Sequence, residues 1–431
     1  MKRVFLPFDL PVFESLNSNH PLLASLTGES YPGIEFVRAS AGGAGSAPNP
    51  EVFEQAARFR AQLGAATPGR PGGEEALTDF VLSRDLRSQA WVDSSCDLAF
   101  FHTTPVLLNQ MPYVIHFEAP TMLFFPAMLH GATAGVRLRQ TPIYAYVRAM
   151  LESSQCRALF TNLAISADHV QSIFDSEAIS RKTRYVAPGA YLTPREVEQA
   201  AAGVARRADK QRVDILFTNS WHQAAGNFFL RGGLDLVLAF LAIEQQCPNL
   251  HLTLRSVWPP QLATHELARI VQQHARIRLL PDKLTDQQIM DLYLDADIFC
   301  LDAAGVHSLS VLRAMYCGAV CIVSDAPGYE EYVEHDQTGI VIEGRRAAVY
   351  SPDPETGWLR DDYASMYAVN PPHVERLARA LKALYDHPEQ RRRIGLGARE
   401  RALQRNSFEG WKSGFETIVR AALAGEAAPT A

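Results

Sequence analysis

The chain has 431 residues, a length that predicts two domains of about 200 residues each rather than one core. Its formal net charge is -6 and its pI is near 6.1, with no long run of like charges, which argues against a nucleic-acid partner. No stretch reaches the apolar length of a membrane span, and the six cysteines lack zinc-binding spacing, so we expect a cytoplasmic protein with reduced cysteines.

The first half of the chain predicts a doubly wound α/β domain, because short apolar runs alternate with helical patterns. The predicted strands are residues 4–8, 34–37, 97–101, 112–117 and 158–162. The predicted helices are residues 21–26, 52–63 and 167–174. The glycine-rich patch 41–48 is interpreted as a flexible loop without a phosphate role.

Polar residues stand at the ends of two predicted strands of this domain, where doubly wound sheets bind ligands. They are His102 and Thr103 after one strand, and His116 and Glu118 around the end of the next. A histidine at a strand end is often a satisfied structural residue. A carboxylate in an apolar run requires a partner, which is either structural or functional.

Residues 121–129, TMLFFPAML, form an apolar run that is followed by Arg137, Arg139 and Arg148. Two interpretations stay open. The run is either part of the core or an apolar ledge for a lipid-linked acceptor and an anionic leaflet at the inner membrane face.

The second half predicts another α/β domain after a polar, alanine-rich connection at residues 192–211. The predicted strands are residues 213–218, 250–254, 277–280, 298–301 and 319–323, and the predicted helices are residues 234–243, 266–274, 285–293, 374–385, 388–403 and 408–419, with a further helix starting near residue 308. Thr285 with Gln288 predicts a capping box, Ser308 an N-cap, and Gly318 a left-handed helix end. Residues 345–369 interrupt this pattern with a long loop, and such loops are usually functional or mobile.

One motif in this half resembles a known family. Ala314, Met315, Cys317 and Gly318 close a predicted helix, and an apolar strand then leads to Ser324, Asp325, Gly328, Glu331, Thr338 and Gly339. This order is similar to the donor-binding motif of retaining GT-B glycosyltransferases, especially family 4. The resemblance implies the GT-B fold, in which two Rossmann-like domains face a cleft and a C-terminal helix crosses back to the N-terminal domain.

The resemblance also implies where the donor is held. The family's two glutamates, which touch the donor sugar and the ribose, correspond to Gly305 and Arg313 here. Its diphosphate-gripping cations correspond to Ser220 and to Arg231, which precedes Gly232. An arginine keeps the charge and can hold two phosphate oxygens. The remaining donor-binding positions are Leu280 near the base, and His307, Ser308, Leu309 and Ser310 at a helix start that favours anions.

By the same resemblance, residues 1–195 form an acceptor domain, residues 211–390 a nucleotide-sugar domain, and residues 391–424 closing helices. The implied reaction moves a sugar from a nucleotide-sugar to a glycan, lipid-linked or small acceptor with retention, as in cell-surface polysaccharide biosynthesis. It needs no metal and no cofactor, and His116 or Glu118 is the catalytic candidate. If the protein is active, Arg313 predicts a donor with additional negative charge or an altered nucleotide pose. The alternatives are a binding or regulatory protein that has lost catalysis, and a nucleotide-sugar epimerase, for which Asp302, His307 and Glu331 are too few.

Overall fold

The structure, a computed structural model, describes residues 1–6, 21–38, 95–102, 111–124, 128, 130–140, 142–207, 210–219 and 225–426. The predicted helix 52–63, the loop 41–48, Thr103 and Ser220 lie outside the described residues.

The first sheet has six strands, and every pairing in it is parallel. The strands are β1 Lys2–Leu6, β2 Ile34–Arg38, β3 Leu98–His102, β4 Tyr113–His116, β5 Cys156–Thr161 and β6 Thr183–Tyr185. They lie in the order β2-β1-β3-β4-β5-β6. All side chains of β3 and β4 are buried, because helices cover both faces of the sheet, and this explains their continuous apolar sequences.

The helices of the first domain are α1 Pro21–Thr27, α2 Pro142–Glu152, α3 Ala164–Phe174 and α4 Glu177–Ser180. Alternating side chains of β3 enter different cores: Phe101 packs among side chains of α2 and α3, whereas Phe100 packs among those of α1. The connection to the second domain contains α5, Pro194–Arg207.

The second sheet also has six parallel strands. They are β7 Val213–Thr218, β8 Leu250–Arg255, β9 Ile277–Leu279, β10 Ile298–Leu301, β11 Val320–Ser324 and β12 Gly339–Ile342. Their order is β12-β11-β10-β7-β8-β9. The order therefore reverses between β7 and β10, which opens a crevice at the carboxyl ends of these two strands.

The helices between these strands are α6 Asn227–Leu230, α7 Gly233–Ile243, α8 Glu266–Gln273, α9 Asp286–Asp295 and α10 Ser308–Tyr316. The predicted capping box of Thr285 and Gln288 is present at the start of α9. Gly318 follows α10 with φ +73°, as predicted. The predicted N-cap role of Ser308 is wrong, because His307 is the cap residue and its side chain does not cap the helix.

The loop at residues 345–369 is an ordered connection between the two domains, which we call the strap. It contains α11 Arg345–Val349, β13 Tyr350–Pro352 and β14 Leu359–Asp361, and β13 pairs with β14 in antiparallel orientation. Its backbone bonds to the first domain: Thr133 N–H donates to Asp361 O at 2.9 Å, and Tyr363 N–H donates to Gly131 O at 3.1 Å. Trp358 is buried within the core of the first domain.

The chain closes with α12 Pro371–Asp386, α13 Pro388–Arg405 and α14 Phe408–Ala424. Helix α14 crosses back to the first domain, where Trp411 Nε1 donates to Asn162 Oδ1 at 3.0 Å and Phe415 packs edge-on against Phe100. The predicted fold, two Rossmann-like domains with a helix that crosses back, is confirmed.

Trp358 gives a stability prediction, because its side chain is 3% exposed and fills a core belonging to the other domain. We expect Trp358→Ala to lower the free energy of unfolding by about 3 to 5 kcal/mol. Urea denaturation followed by circular dichroism measures it. Val369→Ala, in the same segment but 50% exposed, is the control and should unfold like the wild type. Equal midpoints for Trp358→Ala and the wild type would contradict the packing described above.

Candidate active site

A cavity of about 430 Å³ lies in the cleft between the two domains. The first domain contributes residues of 118–130 and 163–169, the second domain contributes residues of 227–231 and 304–307, and the strap contributes residues of 350–363. Several of these segments follow the carboxyl ends of parallel strands, the edge at which doubly wound sheets bind ligands. The cavity therefore combines three parts of the chain that are distant in sequence.

Arg231 lies on the second-domain wall of the cavity. Its side chain is buried, its Nη1 donates to Thr218 O at 3.3 Å, and its Nη2 lies 3.4 Å from His307 Nδ1. Burial lowers the pKa of Arg231 to about 10, so the guanidinium stays charged at neutral pH. The wall thus carries a fixed positive charge in a poorly solvated place, where it interacts strongly with an anion.

Gly232 makes the turn that places Arg231. Its φ is +79°, and a Cβ here would collide with the carbonyl oxygen of Asp302. Only glycine fits both constraints. The turn also starts α7, whose N–H groups begin directly after the arginine.

His307 faces Arg231 across the crevice. Burial, followed by the charge of Arg231, lowers the pKa of His307 well below its ordinary value, so the ring is neutral. A neutral ring that accepts from Arg231 at Nδ1 carries its hydrogen on Nε2. His307 is therefore a hydrogen-bond donor in the cavity, and it directly precedes the first turn of α10.

Four further predicted donor positions, Leu280, Ser308, Leu309 and Ser310, do not line the cavity. Ser308 is bonded to Tyr332, and Leu309 and Ser310 are half-buried in the first turn of α10. Leu280 continues the sheet, with its N–H donating to Leu254 O at 2.8 Å.

Arg313 forms an ion pair with Glu196, away from the cavity. Its Nη2 lies 3.7 Å from Glu196 Oε1, and its guanidinium lies 5.8 Å from the ring centre of Tyr293. It is buried and does not line the cavity. Arg313 therefore adds no charge to this lining, which gives no support to the prediction of a donor with additional negative charge or an altered nucleotide pose.

Gly305 lies under two tyrosines of the strap. The hydroxyl of Tyr363 is 3.1 Å, and that of Tyr350 is 3.7 Å, from where a Cβ of Gly305 would lie. Tyr350 donates to Ala304 O at 2.6 Å and is hydrogen-bonded to Tyr363. The tyrosines therefore occupy the space that a side chain at position 305 would need.

The two catalytic candidates, His116 and Glu118, lie in different environments of the first domain. His116 is fully buried below the cavity, stacked on His102 with their Nδ1 atoms 2.7 Å apart. One ring must donate to the other, so the two rings cannot both be protonated. Glu118 is exposed and lines the cavity. Of the two, Glu118 alone is placed to meet a ligand there.

Several further cavity residues were not predicted from the sequence, among them His130, Tyr350, Asp361 and Tyr363. His130 follows the apolar run, and the other three belong to the strap. The loop at 345–369 was recognised as unusual, and its tyrosines and aspartates were the available signal, but its packing partner is not encoded locally.

The described part of the apolar run is divided between the cavity, which Thr121 and Met122 line, and the core of the first domain. Leu123, Phe124 and Met128 are buried, so these side chains offer no ledge to a membrane. Residues 125–127 and 129 lie outside the described residues. Within the described residues, no helix is both long enough and apolar enough to cross a bilayer.

A buried charged cluster lies behind Gly232. Among the described residues, Asp235, Asp302 and His373 place ligand-type atoms within 4.8 Å of one another. However, Arg345 donates to both carboxylates, and His373 Nε2 lies 2.5 Å from Asp302 Oδ2. Arg345 already supplies the positive charge, so we interpret the cluster as an ion-pair network that anchors the start of the strap.

Comparisons with known proteins agree with this architecture. Residues 224–351 match the family described as Glycosyl transferases group 1. No curated protein matches the chain.

Three solved structures share the fold. Sucrose-phosphate synthase from Thermosynechococcus elongatus is 14% identical with a TM-score of 0.57, covering 99% of this chain and 100% of that one. The alpha,alpha-trehalose 6-phosphate synthase from Burkholderia multivorans is 13% identical with a TM-score of 0.58, covering 98% and 99%. HepE from Anabaena, solved with UDP and glucose, is 15% identical with a TM-score of 0.54, covering 98% and 100%.

The crowding at Gly305 predicts the effect of restoring the glutamate that the family has at this position. Gly305→Glu should destabilise the protein by about 1 to 3 kcal/mol, because the added side chain meets the tyrosine hydroxyls. Adding Tyr363→Ala opens space, so the double variant should lose less stability than the sum of the two single changes, by about 0.5 kcal/mol or more. Thermal unfolding of all three variants measures the coupling. Strict additivity would show that the two positions do not compete for space.

Proposed function

We propose that this GT-B protein, whose second domain carries the glycosyl transferases group 1 region, transfers a sugar from a nucleotide-sugar donor to an acceptor hydroxyl with retention of configuration. The observation that carries the proposal is Arg231, a buried, charged guanidinium on the wall of the interdomain cavity. The N-terminal ends of α7 and α10 begin beside it, next to Gly232 and His307.

This arrangement suits a departing nucleoside diphosphate. As the bond between the sugar and the diphosphate breaks, negative charge grows on the phosphate oxygens. Arg231 and the neutral His307 are preorganised hydrogen-bond donors for that charge, and the positive ends of the α7 and α10 helix dipoles lie behind them. We propose that these groups serve where other enzymes use a bound divalent ion. That the Anabaena HepE structures hold UDP and UDP-glucose supports a nucleotide-sugar donor for this fold.

Glu118 and the first-domain segments of the cavity form the acceptor side of the proposed site. A glycan hydroxyl, as in cell-surface polysaccharide biosynthesis, is the acceptor that we propose. Leu123, Phe124 and Met128 of the apolar run are buried and offer no surface to a lipid chain, which favours a soluble glycan acceptor over a lipid-linked one.

The second candidate function is a binding or regulatory protein that retains the fold without catalysis. Gly305 and Arg313, which replace the family's two glutamates, favour it. Turnover of any nucleotide-sugar by the purified protein excludes this candidate, whereas nucleotide binding without turnover supports it.

The first functional test concerns Arg231. Because the side chain is buried, truncation to alanine would also leave a cavity. Arg231→Gln is therefore the better substitution, since it removes the charge and fills more of the space. We expect it to weaken nucleoside diphosphate binding by about 1.5 to 3 kcal/mol, the loss of a charged hydrogen bond. Calorimetry with UDP, GDP and ADP measures the affinity. Arg313→Gln, a buried arginine held by Glu196, is the comparison and should keep its affinity. Unchanged affinity in Arg231→Gln would remove Arg231 from the site.

The second test separates Glu118 from His116. Glu118→Gln should lower kcat for sugar transfer by about 100-fold, because it removes a charge from the cavity, and should leave the melting temperature unchanged. His116→Gln should lower the melting temperature, because it breaks a buried histidine pair. Rates and thermal unfolding are measured for both variants. Full activity in Glu118→Gln would assign that carboxylate no part in the reaction.

A further inference from the structure

A group of polar side chains lies where the strap meets the first domain in the cavity. It consists of Thr121, His130 and Asp361, all of which line the cavity, and we call it the strap cluster. His130 has a side chain that is 39% exposed, and its Nδ1 lies 3.6 Å from Oδ2 of Asp361, whose side chain is only 6% exposed. Thr121 Oγ1 lies 3.1 Å from Nε2 of the same ring. The cluster therefore places a hydroxyl, two ring nitrogens and a carboxylate side by side.

Asp361 is a fixed negative charge behind the ring of His130. Its side chain accepts a hydrogen bond from the Thr133 hydroxyl, and its N–H donates to Thr133 Oγ1 at 2.6 Å. Burial alone would raise the pKa of this carboxyl, but the contacts with His130, Thr133 and Gly131 hold the pKa below its ordinary value. Gly131, with φ +75°, lets the ring of Tyr363 pack where a Cβ would collide with it. The carboxylate therefore keeps both its charge and its place.

The strap cluster is within electrostatic reach of the wall that holds Arg231 and His307. Burial is the largest cause of the lowered pKa of His307, followed by the charge of Arg231 and then by the influence of His130. His307 Nδ1 is in turn 3.4 Å from Arg231 Nη2. A row of polar groups thus leads from Arg231 through His307 toward His130, all of them lining one cavity of about 430 Å³.

This row follows the order of the parts of a nucleotide-sugar. With the diphosphate on Arg231 and His307, the sugar is the part joined directly to it, and the sugar extends from that wall into the cavity. Each sugar hydroxyl both donates and accepts a hydrogen bond, and the strap cluster offers groups of both kinds. A few such groups in an otherwise largely apolar cavity are what fixes the orientation of a bound ligand.

The charges of the lining also distinguish among sugars. Among the described residues that line the cavity, Arg231 is the one arginine or lysine, and the proposed diphosphate uses it. Glu118 and Asp361 are carboxylates of the same lining. They would repel a sugar that carries its own carboxylate, strongly so in a poorly solvated space, but not a neutral sugar. The lining therefore favours a neutral hexose over a hexuronate.

We propose that the strap cluster selects the donor sugar: His130 and Thr121 bind hydroxyls of a neutral hexose, while Asp361 positions the ring of His130 and disfavours an acidic sugar. The proposal rests on the proposed function, because it takes the diphosphate to lie on Arg231. It leaves Glu118 on the acceptor side and gives the strap cluster a part in binding, without a part in making or breaking bonds. The strap thereby helps to choose the donor.

A purely structural role for Asp361 makes a different statement. If this carboxylate only joins the strap to the first domain, its loss should change the affinity for all nucleotide ligands alike, or for none. Arg360 provides the matched control, because it also belongs to the strap and donates to Val136 O of the first domain at 3.4 Å. It does not line the cavity.

The experiment measures, by calorimetry at one pH, the ligand affinities of the wild type, His130→Ala, Asp361→Asn and Arg360→Gln. The ligands are a nucleoside diphosphate alone, its neutral hexose esters and its hexuronate ester, built on whichever of UDP, GDP and ADP the wild type binds. In the uridine series these are UDP, UDP-glucose, UDP-galactose and UDP-glucuronate. We expect the wild type to bind the better of the two hexose esters at least about 10-fold more tightly than the hexuronate ester.

The variants are expected to change this pattern in different ways. His130→Ala should weaken binding of the hexose ester about 10-fold and leave the affinity for the diphosphate alone unchanged, because only hydrogen bonds to the sugar are lost. Asp361→Asn should narrow the preference for hexose over hexuronate by about 5-fold, because the repelling charge is gone. Arg360→Gln should keep all of the affinities.

The outcomes separate the two proposals. Equal affinity of the wild type for hexose and hexuronate esters overturns the role of the strap cluster while the proposed function stands. An unchanged ratio of hexose-ester to diphosphate affinity in His130→Ala also overturns it, as does an unchanged preference in Asp361→Asn. Parallel loss of diphosphate and sugar-ester binding in both variants assigns the cluster a structural role and overturns it too. A wild type that binds no nucleoside diphosphate and no nucleotide-sugar overturns the proposed function and this proposal with it.

Discussion

The pairing of residues 131–134 with the strap around Asp361 is the interaction on which the cavity depends. It joins a loop of the first domain to a segment of the second domain through backbone bonds, a buried carboxylate and Thr133. Without it, Tyr363 would lose its backbone bond to Gly131, and the wall that the strap gives the cavity would be tied to the second domain alone. Buried polar groups of this kind impose one geometry, because any other leaves them unsatisfied.

Inside the cavity, burial decides which groups carry charge. Arg231 remains a cation because guanidinium is a very strong base, whereas desolvation keeps His307 and His169 neutral. Among the described residues, the second-domain wall of the cavity therefore offers one fixed positive charge, Arg231, beside the neutral ring of His307. Such a wall favours an anion and avoids the repulsion that several adjacent cations would create.

The sequence predicted the elements that depend on local patterns. Both sheets, the capping box of Thr285 and the turn at Gly318 follow from periodicity and side-chain chemistry. Arg231 and His307 were reached by the register of a motif. The motif could not predict that Arg313 pairs with Glu196, because the partner lies on α5, far away in the chain.

The strap is a second feature whose contacts could not be predicted from the sequence. Its composition showed that it was unusual, but its partners in the first domain become known only when the domains are packed together. His130 was missed for the same reason, since nothing near it in sequence announces Asp361. Contacts between domains were thus the part of the site that sequence reasoning did not reach.

The position of Trp358 has a consequence for how the protein is made. The first domain lacks part of its core until residue 358 has been synthesised, and it lacks the cover of α14 until the last helix is complete. On the ribosome, the N-terminal half therefore emerges with apolar surface that only much later residues can bury. Its final consolidation awaits the synthesis of α14, and a fragment cut at the boundary between the sheets would keep that surface open to aggregation.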